Sequence, residues 1–468
     1  IMKKLLLGVA ALFTATSVFA ADPVDPATYA PVESDGTYTM TNLWMKAAIN
    51  DNNLNSDANL GSAGEVRGMA VKDGQLLFAY RSGGAANGIP GVKIFDMKTG
   101  NFVKAIMKDT LDFMSADGKM LGYPCNDIQV DDAGNVLLFN MTLNWINSTA
   151  AIYSLDLETG ALQKRFELKD DFLGAVSADG ISGFRVDYFA IKGDITKDAI
   201  LMFPCSGSDH VIRCDIENGQ LKEQKDGAMY VDIKINGYYP ASAVDNGTAP
   251  RIAVVDDDYF YLDGFNSFAT LYDKTGSMVE SVGDAPEDCA PTNKTGNNGV
   301  AEFELGGKPF CVYAISNNEV DPYQAFKLVE MGAGPTFAGA KCYWTVPQGG
   351  LGKLSNAYRT LLPRIQYEGD NTAYLTTYAC GSGAAAYKIE YKSDGDGVGS
   401  VANDVVAITV NGNDINFNAA ADAVLYNIAG QKVAEVTNNT IMTAPAAGLY
   451  IVKAKVNGAE KVQKVVVK

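Results

Sequence analysis

The chain has 468 residues, of which 47% are hydrophobic and 20% charged, as is typical of a globular protein with more than one domain. Its net charge of −17 makes nucleic acid and anionic membrane poor partners, because no basic stripe is present to displace counterions. Aromatic and β-branched residues are plentiful and long apolar stretches of helical period are nearly absent, which favours an all-β fold.

The N-terminal segment has the pattern of a secretory signal peptide. Two lysines precede an apolar run that ends at Phe19, and small residues follow it. The run is too short to span a bilayer comfortably, and no other stretch could do so. We therefore predict a signal peptide over 1–20, cleaved after Ala20, a linker over 21–36, and no transmembrane segment in the mature chain.

An internal repeat occupies residues 37–392. Each copy contains an apolar strand that closes on an acidic residue, and the clearest copies continue into a turn with Gly. Asp can accept backbone hydrogen bonds in such a turn, and Gly adopts the positive φ that reverses the chain. The acidic positions lie 57 to 60 residues apart, at Asp96, Asp156, Asp215, Asp273, Glu330 and Glu390.

A second hairpin precedes each acidic position, so every repeat contains four antiparallel strands. Clear copies of this hairpin begin at Met69 and Ile128. Four antiparallel strands form one blade of a β-propeller, and the repeat region resembles a secreted six-bladed β-propeller. We predict six blades over 37–392. The alternative is a linear array of six β units, such as a solenoid.

The sixth repeat lacks its fourth strand, because the composition changes after Tyr391. The segment Leu43-Trp44-Met45-Lys46-Ala47-Ala48-Ile49 precedes the first repeat and is similar to an outer strand. We predict that this N-terminal strand completes the last blade and closes the ring, which leaves no open sheet edge.

A Gly- and Asp-rich linker over 393–403 precedes a smaller C-terminal module over 404–468. Alternating strands and tight Gly turns in this module predict a small antiparallel, Ig-like β-sandwich. Its strands carry a recurring pattern at Tyr426, Asn427, Gly430, Val433, Gly448, Leu449, Tyr450, Val452 and the terminal lysines, including Lys468.

This pattern resembles the C-terminal sorting domains of type IX (Por-type) secretion substrates. The resemblance implies export of the chain to the periplasm of a Gram-negative bacterium, followed by delivery across the outer membrane. The export machinery would then be a partner, and the protein would be secreted or held on the outer-membrane surface. A generic sandwich that serves as a spacer or binding module is the alternative.

Five polar residues recur near the presumed innermost strands of the blades: Arg67, Asn126, Arg185, Arg251 and Arg364. A closed ring would bring them to the rim of the central channel, where propellers usually bind ligands. Guanidinium groups bind carboxylates, sulfates and sugar hydroxyls. The alternative is that each arginine pairs with acids of a neighbouring blade.

The cysteines and acids give weaker signals. Cys205 and Cys214 flank a short turn, so they are candidates for a disulfide across a hairpin. The only histidine, His210, lies in that turn and is expected at the surface, and zinc sites built on several histidines are excluded.

Residues 51–57 alternate oxygen donors as calcium loops do but lack the required Gly and Glu, so we expect no cofactor, with calcium as the one alternative.

No catalytic group stands out in the sequence. Sialidase-type boxes are absent, and the acids are too evenly spread to name an acid–base pair. The leading hypothesis is a secreted or cell-surface, non-catalytic protein whose propeller face binds a glycan or another surface component. The alternatives are a secreted polysaccharide hydrolase or lyase, and a structural or adhesive surface protein with a protein partner.

Overall fold

A computed structural model describes residues 28–29, 38–61, 64–81, 89–143, 148–168, 185–206, 209–224, 227–236, 249–264, 267–291, 299–315, 322–332, 336–354, 360–392, 408–427, 431–456 and 459–467. The predicted signal peptide and the linker over 393–403 lie outside these residues. The chain divides into two compact units, Ile1–Ser393 and Asp394–Lys468. Within the described ranges, no helix has the length and apolar character needed to cross a membrane.

The described residues of the first unit form six antiparallel sheets. Its first two strands, β1 (Thr28–Tyr29) and β2 (Tyr38–Ala47), pair with each other and belong to the sixth sheet. The first sheet consists of β3 (Val66–Lys72), β4 (Gln75–Tyr80), β5 (Gly91–Asp96) and β6 (Phe102–Met107). The second consists of β7 (Asp127–Val130), β8 (Val136–Phe139), β9 (Ala150–Leu155) and β10 (Leu162–Leu168).

The next two sheets follow the same order along the chain. The third consists of β11 (Ala190–Gly193), β12 (Ala199–Pro204), β13 (His210–Glu217), β14 (Gln220–Leu221) and β15 (Val231–Lys234), the last two both paired with β13. The fourth consists of β16 (Arg251–Val254), β17 (Tyr259–Asp263), β18 (Thr270–Asp273) and β19 (Met278–Ser281).

The last two sheets complete the first unit. The fifth consists of β20 (Val300–Leu305), β21 (Lys308–Ala314), β22 (Phe326–Glu330) and β23 (Lys341–Val346). The sixth adds β24 (Leu361–Tyr367), β25 (Thr372–Ala379) and β26 (Gly383–Tyr391) to β2 and β1. Short 3₁₀ helices in the described part are Ala48–Asn50, Leu54–Ser56, Thr110–Asp112 and Val282–Asp284.

The repeated acidic residues form the expected turns. Asp156 Oδ1 accepts hydrogen bonds from the backbone N–H groups of Glu158 and Thr159, at 2.9 and 2.7 Å. Gly160 follows with φ of 70°. The hydrogen bonds from Thr159 and Glu158 lower the pKa of Asp156, since they stabilise its ionised form. The turn chemistry predicted from the repeat is therefore confirmed.

The predicted pairing of the N-terminal strand with the last repeat is also confirmed. Strand β2 pairs antiparallel with β26, from Tyr38 opposite Tyr391 to Ala47 opposite Gly383. Trp44 in β2 also reaches the first sheet, because its Nε1 donates a 2.8 Å hydrogen bond to the Met97 carbonyl oxygen. The sixth sheet thus depends on a strand from the beginning of the repeat region.

The core of the first unit lies between neighbouring sheets. In the described residues, five buried apolar clusters each join two sheets that are consecutive in the chain, and a further cluster joins the sixth sheet to the first. The first strands β3, β7, β11, β16, β20 and β24 contact one another in the same cyclic order. This is an all-β, β-propeller-like arrangement whose first strands meet at the centre.

The second unit has its own core. Its strands are β27 (Ile408–Asn411), β28 (Asp414–Asn427), β29 (Lys432–Thr443), β30 (Gly448–Val456) and β31 (Ala459–Val467). The long strand β28 pairs with β27, β29 and β30, and β31 pairs with β30. Alternate side chains of β30 are buried, as at Tyr450 and Val452, which matches the predicted strand period.

The predicted disulfide is not formed. Strand pairing places Leu201, not Cys205, opposite Cys214, and all seven cysteines are free and buried. A shift of four residues corresponds to about 13 Å along a strand, whereas disulfide-linked Cα atoms lie about 4.4–6.8 Å apart. His210 also differs from expectation, because it is 3% exposed and its Nδ1 lies 2.8 Å from Asp232 Oδ1.

Candidate functional site

The first strands of the sheets position all five predicted polar residues. Arg67, Arg251 and Arg364 lie within β3, β16 and β24, and Asn126 comes directly before β7. Arg185 precedes β11 and forms an isolated bridge with Ser206. Because these strands contact one another at the centre of the unit, residues from distant parts of the chain come together there.

The first group of contacts is built around Asp187, whose side chain is fully buried. Arg185 donates two hydrogen bonds to its carboxylate, from Nε to Oδ2 at 2.8 Å and from Nη2 to Oδ1 at 2.6 Å. Arg67 Nη1 lies 3.8 Å from the same Oδ1 atom. Asn126 Nδ2 donates to the backbone oxygen of Asp187 at 2.7 Å. Three of the predicted residues therefore meet at one acidic residue.

The second group is built around Arg251. Its Nη2 donates to the backbone oxygen of Arg67 at 2.9 Å, and its Nη1 lies 3.5 Å from Asp127 Oδ1. The guanidinium carbon lies 3.2 Å from the ring centroid of Tyr188, and the Tyr188 hydroxyl hydrogen-bonds with that of Thr360 at 3.1 Å. Such close stacking is a cation–π contact in a buried place.

Arg364 is held differently. Its Nε donates to the Met69 carbonyl oxygen at 2.7 Å and its Nη1 to the carbonyl oxygen of Pro363 at 2.9 Å. The pKa of Arg364 is lowered to about 10, mainly by burial and in addition by the positive charge of Arg251, while Asp127 acts in the opposite sense. Arg364 and Arg251 thus share one nearby carboxylate, Asp127, whose own pKa is raised by burial.

A cavity of about 210 Å³ lies beside these arginines. Arg251, Arg364, Gln129 and Glu302 line it together with apolar residues of four sheets. Burial raises the pKa of Glu302, and the nearby Asp256 raises it further, whereas Lys192 lowers it. Gly299 also lines the cavity, and a Cβ there would lie 1.8 Å from the Leu361 carbonyl oxygen, so glycine allows the two chain segments to approach.

Several buried polar atoms at the centre have no hydrogen bond within the described residues. They are Arg251 Nε and Nη1, Asn126 Oδ1, Asp127 Oδ1 and both carboxyl oxygens of Asp263. Native proteins pair nearly all such atoms with protein, water or ligand. Their concentration near one cavity therefore makes the centre of the first unit the strongest candidate site.

The structure also modifies the prediction of an open ring of arginines. Arg67, Asn126 and Arg251 are 6%, 0% and 5% exposed, and Arg67, Arg185 and Arg251 all lie beside aspartates. Only Arg251 and Arg364 of the predicted set line the cavity. The ligand-binding role of the set stays a prediction.

Sequence reasoning missed the acidic partners. Asp127 directly follows Asn126, and Asp187 lies two residues after Arg185, so each could have been found by reading the residues next to the predicted set. Tyr188 and Asp263 gave no comparable signal, because their role depends on contacts between sheets.

The remaining predicted residues lie elsewhere. Tyr426 lies in β28, and Gly448 and Tyr450 lie in β30, where the Tyr450 hydroxyl donates to the Ala446 carbonyl oxygen at 2.9 Å. Gly430 and Lys468 lie outside the described residues.

The calcium alternative gains no support from the local contacts. In the 51–57 segment, Asn53 Nδ2 donates to the Gly381 carbonyl oxygen and Asn55 Nδ2 to the Tyr378 hydroxyl. No group of three or more His, Cys, Asp or Glu side chains suited to a metal ion occurs in the described ranges. The absence of a cofactor stays an expectation.

The sheets and their polar centre define a β-propeller-like protein. No family model matches the chain, and no curated protein matches it. A crystal structure of a DUF4623 family protein from Bacteroides eggerthii is similar, with 13% identity, coverage of 79% of this chain and 78% of that chain, and a TM-score of 0.55. At this identity the similarity concerns the fold alone.

Two further solved structures are more distant. A protein of unknown function from Bacteroides thetaiotaomicron has 14% identity, 70% coverage of both chains and a TM-score of 0.38. The GH93 α-L-arabinofuranosidase of Fusarium graminearum, in complex with arabinobiose, has 10% identity, covers 78% of this chain and 98% of that chain, and has a TM-score of 0.42. Neither similarity supports an argument about the function of this chain.

Proposed function

We propose that this chain is a secreted or cell-surface, non-catalytic binding protein that binds a glycan or another surface component at the centre of its first unit. The observation that carries the proposal is that polar residues from stretches nearly 300 residues apart in sequence meet at the centre of the first unit, where Arg251 and Arg364 line a cavity. Guanidinium, amide and carboxyl groups together can hydrogen-bond both acidic groups and hydroxyls.

We also propose that the six sheets are the blades of a closed six-bladed propeller. The cyclic contacts of the first strands and the pairing of β2 with β26 support it. Closure matters for binding because the candidate site draws side chains from several blades. The second unit is proposed to be an Ig-like sandwich.

The export route is proposed from the sequence. The N-terminal signal-peptide pattern and the resemblance of residues 404–468 to type IX sorting domains support delivery through the periplasm to the outer surface of a Gram-negative bacterium. The export machinery would be a partner of the second unit.

A glycan array probed with the full chain, followed by calorimetry, tests the binding proposal. Arg364→Ala removes a guanidinium from the cavity wall and is expected to weaken binding at least tenfold. Arg165→Ala is the matched control, since Arg165 lies on the outer strand β10 and donates to Ser154 Oγ at 2.9 Å. Unchanged affinity in Arg364→Ala would place the binding site elsewhere.

The same preparation separates the alternatives. Turnover of an array glycan would favour a polysaccharide hydrolase or lyase. Capture of a protein partner from intact cells, with no glycan affinity, would favour an adhesive or structural role.

A further inference from the structure

The lining of the central cavity contains more basic than acidic side chains, although the chain as a whole is acidic. The chain carries a net charge of −17, yet two guanidinium groups, Arg251 and Arg364, lie in one cavity wall. Most of the other residues that line the cavity are apolar. Two positive charges in one cavity wall are unfavourable unless a negatively charged group lies near them.

The nearby protein groups compensate this charge only in part. Among the described residues, Arg364 has no ion pair within 4.0 Å and hydrogen-bonds two backbone carbonyl groups. Arg251 lies 3.5 Å from Asp127 without a hydrogen bond between them, and its Nε and Nη1 atoms have no hydrogen bond in the described part. Unpartnered guanidinium N–H groups are donors that match the geometry of an oxyanion.

The carboxyl groups around the cavity favour the same ligand. Burial raises the pKa values of Asp127, Asp263 and Glu302, which shifts each of them toward its neutral form. A neutral carboxyl group can donate a hydrogen bond to an oxyanion and does not repel it. The neighbouring carboxyl groups therefore neutralise the positive charges of the two guanidinium groups in the cavity wall less than ionised carboxylates would.

The size of the cavity restricts the ligand. Its volume of about 210 Å³ is below the roughly 300–1,000 Å³ of pockets that hold drug-sized ligands. It can take one small group rather than an extended chain of sugars.

We propose that this cavity binds an oxyanion group, a carboxylate or a sulfate, between Arg251 and Arg364. When the oxyanion is a substituent of a surface glycan, the inference rests on the proposed function. The acidic substituent is then the part of the glycan that enters the cavity.

Isothermal titration of the full chain with acetate, sulfate, D-glucuronate and D-glucose tests this site. D-glucuronate is expected to bind, as is at least one of the two small anions, acetate and sulfate. Neutral D-glucose is expected to bind at least tenfold more weakly than D-glucuronate. Arg364→Gln should reduce the affinity for the anions at least tenfold, whereas Arg165→Gln should leave it unchanged.

A second variant keeps the test decisive if Arg364→Gln fails to fold. Gln129 is a half-buried residue of the cavity lining. Gln129→Glu keeps the shape of the side chain but adds a negative charge to the cavity wall, so it should lower the affinity for the anions about threefold or more. Equal binding of D-glucose and D-glucuronate, no binding of any of the anions, or unchanged affinity in Gln129→Glu would overturn the inference.

The outcomes also separate this inference from the proposed function. Glycan binding on the array without a response to any of the anions would reject the oxyanion site and leave the binding function. Anion binding that depends on Arg364, together with an array that shows no glycan binding, would reject the glycan and leave the site.

Discussion

Asp263 is a fully buried carboxyl group on β17, opposite Arg251 in the strand register. Burial raises its pKa well above the usual range, and the charge of Arg251 offsets this only in part. The folded protein therefore keeps a proton that the unfolded chain releases above pH ~3.9. The free energy of unfolding should fall as pH rises, by at most about 1.4 kcal/mol per pH unit from this group.

The variant Asp263→Asn isolates this effect because it has a similar shape and no proton to release. Relative to the wild type, its free energy of unfolding should increase from pH 5 to pH 7. Urea unfolding at pH 5, 6 and 7 measures the difference. Parallel pH profiles for the two proteins would mean that Asp263 is ionised in the folded state.

Single residues also show the limit of what the sequence reveals. The positions of Arg67, Arg185 and Arg251 near the first strands could be predicted, since each repeat is marked by its own acidic turn. The burial of Arg67 and Arg251 and their pairing with Asp187 and Asp127 could not be predicted, because these contacts join different sheets and depend on how the sheets surround the centre.

Strand β2 is the element on which the sixth sheet depends. Met40 in β2 is fully buried between the fifth and sixth sheets. Met40→Asp would place an unpaired charge there and should lower the free energy of unfolding by more than about 4 kcal/mol. Chemical unfolding monitored by tryptophan fluorescence measures this, because Trp44 lies in the same strand.

The matched control is Val103→Asp on β6. Val103 is 48% exposed, so the same new charge remains in water and the change should stay within about 0.5 kcal/mol. An equal loss in both variants would indicate a general cost of aspartate in outer strands and not a special role for β2.

Elements with strong local signals could be predicted from the sequence. The turns after β5, β9 and β18 follow from Asp and Gly at fixed spacing, and Gly100, Gly160 and Gly276 all have positive φ. The pairing of Cys205 with Cys214 failed because hairpin register depends on loop geometry that the two cysteines do not specify.

At the scale of the whole molecule, the two compact units are expected to have separable roles. Deletion of residues 404–468 should leave the first unit folded, because in the described residues each unit has buried apolar clusters of its own. If the second unit directs export, the truncated chain should accumulate in the periplasm of a host with type IX secretion. Cell fractionation and circular dichroism measure the two effects.

The full-length chain in the same host is the control, and it should reach the medium or the cell surface. Equal delivery of both chains to the outside would reject the sorting role, and an unfolded truncated chain would show that the units are not independent.

The pairing of β2 with β26 also determines when folding can finish. Asn42 Nδ2 donates to the backbone oxygen of Ala386 across a separation of 344 residues. Until residues near 391 are available, β2 has no strand to join and the growing protein keeps an open edge. Every incomplete translation or proteolytic product that ends before β26 is therefore prone to pair with other chains through the exposed edge.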